Sequence, residues 1–224
     1  MRIGRTPFGI VSLVLLLAAA RPTVAVEHRV EVLKERPPAE LAPAIAARLG
    51  EGVRVIRGAS RVICDIWLFK EWEAPADKPA SGLLYPFEPG QMLGVVRFPR
   101  KASDFRNQDI AEGLYTLRYA HQPVDGAHVG TSLTRDFLLL TAADQDMELT
   151  IPDYKSMTKK SAAAAGSSHP ALLSLQAPTN GEKMRIRHVE EQDWWVLGVV
   201  GARKVESRSE PQTLEIVVVG HAAE

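Results

Sequence analysis

From residue 52 to residue 220 the sequence repeats one pattern: a short run rich in valine, isoleucine, leucine and aromatic residues, closed by glycine, proline or small polar residues. This constrains the fold more than any other feature, because short β-branched and aromatic runs between turn residues read as strands. "GVRVIRGASRVICDIWLF", residues 52–69, holds two such runs around Gly58, Ala59 and Ser60, the composition of a β-hairpin. The second arm puts Val62, Cys64, Ile66 and Leu68 on one face and Ile63, Asp65, Trp67 and Phe69 on the other. Both faces are apolar, as in a central strand covered on two sides, and Asp65 is expected to be a satisfied buried carboxylate or a strand-end residue. "QMLGVVRF", "GLYTLRYA", "DFLLLTA", "MELTI", "LLSL", "MRIRHV", "WWVLGVV" and "LEIVVVG" follow in order. "GLYTLRYA" alternates Tyr115, Leu117 and Tyr119 against Thr116 and Arg118, the pattern of a half-buried antiparallel strand.

Helix is scarce beside this. Residues 38–50 carry helix-forming alanines, but Pro43 limits them to a short or kinked piece. Residues 152–166 are better suited, with a proline and an acid at the start and Gly166 as a stop. About ten short strands with one or two peripheral helices point to a mainly β chain, an antiparallel β-sandwich.

The N-terminus carries a separate message. Arg2 and Arg5 precede the uncharged run "IVSLVLLLAAA", which is too short to cross a hydrocarbon core of ~20 residues. That is the layout of a signal peptide, with cleavage expected after Ala25 and no membrane span in the mature chain. No cysteine follows the run, which argues against a lipid anchor. The expected organisation is a signal peptide over 1–25, an N-terminal extension with a short helix over 26–52, and one β-sandwich domain over 53–224. Export implies an oxidising periplasmic or extracellular setting, yet Cys64 is the only cysteine and an internal disulfide is impossible. Val62 and Ile66, which share its strand face, make it a buried core thiol.

Basic and acidic residues balance at 27 each. Losing Arg2, Arg5 and Arg21 with the signal peptide leaves a slight acidic excess, with the basic residues dispersed, so nucleic acid is not an expected partner. No glycine-rich phosphate loop, nucleophile elbow, Cys-x-x-Cys or helical histidine pair is present, and no cofactor is implied.

One stretch concentrates polar chemistry: "YAHQPVDGAHVGTSLTRDFLLL", residues 119–140. His121, Asp125, His128 and Asp136 offer nitrogen and oxygen donors of the kind that bind divalent metals. The same residues also read as a loop, since "PVDGAHVG" has the proline, aspartate and glycine of a tight turn. Arg135 and Asp136 are adjacent and point to opposite faces of a strand, so each needs a partner of its own. Trp194 and Trp195 are likewise consecutive. One enters the core, and the other faces out, where a sugar ring could stack on it.

The segments "GLYTLR", "DGAH", "RDFLLL" and "SSHPALLSL" resemble those of a group of uncharacterised exported bacterial proteins, over most of residues 53–220. The resemblance implies export and a β-rich fold, and implies no catalytic residue. It singles out Asp125, His128, Arg135, Asp136 and His169 as the candidate ligand-binding positions. The expectation is an exported module that binds a small ligand or an envelope protein. A metal-dependent enzyme built on the His128 turn and a structural envelope component are the alternatives.

Overall fold

The computed structural model describes residues 26–75, 78–122, 134–181 and 183–222. The chain is mainly β, with two short helices. It runs β1 (His28–Leu33), α1 (Pro43–Ala46), β2 (Leu49–Arg57), β3 (Arg61–Phe69), β4 (Glu71–Glu73), β5 (Met92–Phe98), β6 (Ala102–Ser103) and β7 (Asp109–Ile110). Then follow β8 (Gly113–His121), β9 (Asp136–Ala142), a single 3-10 turn, α2 (Tyr154–Ala164), β10 (Leu172–Gln176), β11 (Met184–Val189), β12 (Trp194–Val205) and β13 (Arg208–Val219). Among the described residues one large sheet has the order β1-β2-β3-β5-β8-β9-β10-β13-β12-β11, every pair antiparallel, while β6 and β7 pair apart from it.

The sheet curls until it meets itself. β10 links its two halves, pairing through Leu172, Leu173 and Ser174 with β9 and through Leu175 and Gln176 with β13. On the other side β4, separated from β3 only by Lys70, pairs in parallel with β12. The junction is anchored by Trp72, whose buried indole N–H donates to the Leu93 carbonyl at 2.9 Å. Gly201 on β12 faces that indole, and any side chain there would overlap it.

The two-residue period of the strands sorts the core. On β9, Leu138 and Leu140 point into the main core with Leu117, Leu214 and Ile216. Phe137 joins Phe105, Trp194, Val196 and Val217, and Leu139 meets Ala120 and Met157 of α2. A strand buried on both faces must be apolar throughout, which is why "FLLL" is unbroken. Leu33, Leu41 and Ile45, from the segment expected to be an N-terminal extension, belong to the same main core, and β1 pairs along its whole length with β2.

Two expectations need correction. "MELTI" is not a strand: residues 147–151 lie outside any helix or strand, because the Glu148 carbonyl is taken by Arg118, at 2.5 Å. And β8 is not half-buried. Thr116 and Arg118, on its supposed solvent face, are buried beneath that same segment, where Asp146 accepts a bidentate pair from Arg118 at 2.7 and 2.8 Å and a further bond from Thr116 at 2.6 Å.

Candidate functional site

Asp125 and His128 lie outside the described residues. Arg135 and Asp136 turn away from each other, as adjacent strand residues must. Arg135 donates from Nε and Nη2 to the Gln122 carbonyl, at 3.2 and 2.9 Å, and so closes the base of the connection between β8 and β9. Asp136 is fully buried. Its carboxylate accepts from the Leu84 and Tyr85 backbone N–H groups, at 3.0 to 3.1 Å, and from the Tyr119 hydroxyl at 2.6 Å. These bonds fasten the 78–89 segment to the start of β9, and they occupy both carboxylate oxygens, leaving Asp136 poorly placed to hold a metal beside His121, its cross-strand neighbour.

His169 does not join Asp136. Leu172 pairs with Leu139, so the exposed His169 emerges beyond the Ala142 end of β9. Asp136 begins that strand, about 20 Å away along it. Among the described residues no group of three or more His, Cys, Asp or Glu side chains is placed to hold a metal ion.

Asp65 is the satisfied carboxylate the sequence suggested. β2, β3 and β5 set Arg54, Asp65 and Arg97 in one cross-strand row. Both guanidiniums donate to the buried carboxylate, at 2.6 to 3.1 Å, and both also reach Glu35. Burial alone would raise the Asp65 pKa, but the two arginines outweigh it and hold it below the ordinary value. Beside it, Cys64 is 1% exposed, and burial pushes its thiol pKa far up, which makes it a core residue rather than a nucleophile.

The unspent chemistry lies elsewhere, at one end of the curled sheet. A cleft of about 950 Å³ opens between the start of β1, the β2–β3 hairpin, the segment after β5 and the end of β13. Its wall holds His28, which is 5% exposed and whose two ring nitrogens make no hydrogen bond among the described residues. Three rings run in series across the wall. His28 packs on Trp195 at 4.3 Å with a 45° tilt, and Trp195 stacks on His188 at 4.5 Å and 13°. His188 in turn meets Asp193 at 2.7 Å. The His28 pKa is lowered, first by burial and then by Arg57, against a smaller upward pull from the Val26 carbonyl and Asp193.

The carboxylates around this cleft are engaged by other groups, Asp193 by His188 as above. Asp104 is consumed by its own turn, accepting from the Arg106 and Gln108 N–H groups, the Gln108 amide and the Leu172 N–H at 2.8 to 3.0 Å. Asp109 pairs with Lys101 at 2.7 Å. Arg57, Arg61 and Arg100 remain on the wall, and none of them makes an ion pair among the described residues. Trp194 is the core member of the tryptophan pair and Trp195 the half-buried one, but its faces meet imidazoles, which disfavours a sugar platform.

Sequence reasoning passed over His28, Arg57, Arg61, Arg100, His188 and Trp195 as a group, because they come from five separate segments. One signal was present. In "RGASR" the two arginines flank a tight turn, and a hairpin must make them neighbours.

Comparison of the chain with family models, with curated proteins and with solved structures finds no match.

Proposed function

We propose that this chain is an exported binding module whose ligand seat is the cleft at the β1 end of the sheet. The observation that carries the reading is His28: a nearly buried imidazole in a cleft wall whose nitrogens, among the described residues, find no partner beyond a loose approach of the Val26 carbonyl. Buried polar atoms are ordinarily satisfied, and an unsatisfied one in the wall of a cleft is more in keeping with a binding site than with a core. The site is therefore moved from the 121–136 turn, where Arg135 and Asp136 serve the fold, to the opposite end of the sheet.

Export fits the same site. Cleavage after Ala25 leaves Val26 as the first residue, and Val26 lines the cleft, so processing adds an α-ammonium group to its wall. N-terminal sequencing of protein recovered outside the cytoplasm is expected to begin at or near Val26. An intact N-terminus on protein released only by detergent would overturn export.

Binding is tested by melting the purified protein against a panel of neutral sugars, aromatic amines, carboxylates and phosphates. The expected result is a saturable upward shift with at least one class that disappears in Trp195→Ala. Silence across the panel would overturn the reading in favour of a structural envelope component. Stoichiometric metal in the purified protein, with a large loss of stability on chelation, would overturn it in favour of a metal-dependent enzyme on the His128 turn.

A further inference from the structure

The ladder of β1, β2 and β3 ends on an unusual row. His28 pairs with Arg57, and Arg57 pairs with Arg61. Directly opposed residues of antiparallel strands share a face and bring their Cβ atoms to about 5 Å, where like charges repel. Three bases are thus set side by side with no carboxylate among them.

The same sheet shows how such a row is neutralised when it serves only the fold. The Arg54, Asp65 and Arg97 row has the same three-strand geometry, but an aspartate takes the middle position and a glutamate approaches from outside. Nor is the chain short of acids, since it has as many as it has bases. Arg29, on the other face of β1, is absorbed by the hairpin, donating to the Gly58 and Ala59 carbonyls and pairing with Glu31. Arg57 and Arg61 have no such task and line the cleft beside Arg100.

We infer that the cleft is an oxyanion site, in which a carboxylate or phosphate group of a small molecule is seated over His28, Arg57 and Arg61, with Arg100 closing from the segment after β5. This rests on the reading of the cleft as the ligand seat and names what it binds. Guanidinium forks match both carboxylate and phosphate oxygens, and the His28 ring forms part of the wall beneath them. The enclosing volume is that of a small-molecule pocket rather than of a surface that tracks a polymer.

The test uses sodium phosphate and sodium citrate as probes at constant ionic strength, with calorimetry and melting as readouts. Either anion is expected to bind saturably. Phosphate alone points to a phosphate ester and citrate alone to a polycarboxylate, and both outcomes support the inference. Arg57→Gln/Arg61→Gln is expected to weaken binding by roughly ten-fold or more, as the loss of charge-assisted bonds implies. The exposed pair Lys155→Gln/Lys159→Gln on α2, with the same change of charge, should leave it intact. Equal binding by the two variants, or no saturation with either anion, would overturn the inference. If the anions are silent while a neutral or cationic panel member binds and is lost in Trp195→Ala, the inference alone fails. If nothing in the panel binds, the proposed function fails with it. Binding of anionic vesicles or polyglutamate without phosphate or citrate would overturn it in favour of a macromolecular partner.

Discussion

At the scale of single residues the chain contains two kinds of buried polar group, and they predict opposite behaviour. Among the described residues Asp136 meets donors alone, so Asp136→Asn turns one acceptor into an N–H₂ group that faces other N–H and O–H groups. Urea unfolding should show a loss of about 2–3 kcal/mol. An unchanged midpoint would mean that the 78–89 segment is held by something else. His28 is the reverse case, a group the fold leaves unsatisfied. Its folded pKa lies below the ordinary 6.5, so the unfolded chain binds a proton more readily than the folded one. Its contribution to stability is complete above that value and is lost as pH falls through the lower folded value. Stability measured between about pH 7.5 and about pH 5 should therefore fall more steeply for the parent than for His28→Gln. Identical slopes would remove His28 as the titrating group. A bound anion beside the ring acts in the opposite sense, raising the folded pKa toward the ordinary value, and should make the decline shallower.

Among the elements, legibility followed periodicity. The hairpin of β2 and β3, the two-faced burial of β3 and β9, and α2 were readable because each depends on residues a few positions apart. Asp153, expected near the start of the second helix, caps it by accepting from the Ser156 N–H at 2.9 Å. The failures had a common cause: a distant side chain decided the outcome. "MELTI" has strand composition, but its Glu148 carbonyl and the preceding Asp146 are drawn onto Arg118, which precedes Asp146 by 28 residues. Arg118 also donates to the Gly90 carbonyl at 2.7 Å, so one buried guanidinium fastens two segments to β8. Arg118→Met is expected to strand the buried Asp146 carboxylate and to cost about 3–5 kcal/mol. Protease should then cut first within residues 143–151, and a variant cut first elsewhere would show that this segment is held independently.

Across the whole molecule, closure of the sheet and the candidate site are linked. The hydrogen-bonded circuit runs from β3 through β5, β8, β9, β10, β13 and β12 back to β4, which leaves β1 and β11 as the two ends of the sheet order. These two approach each other through rings rather than through a ladder, His28 from β1 and His188 from β11, joined by Trp195 of β12. None of this could be read from the sequence, because it depends on where a curled sheet happens to end, not on any local pattern. The cationic row sits at the same end, and its energetics give the sharpest test. A row that binds an anion is strained when empty, as functional polar groups often are. Arg61→Glu places a carboxylate on β3 opposite Arg57 of β2, as Asp65 of β3 stands opposite Arg54 of β2. In buffer without phosphate or citrate the variant is expected to melt higher than the parent, by an amount equivalent to about 0.5–1 kcal/mol. In saturating phosphate the order should reverse, since only the parent gains from the anion. A variant that melts lower than the parent in both conditions would show that Arg61 serves the fold, and the row would then carry no ligand.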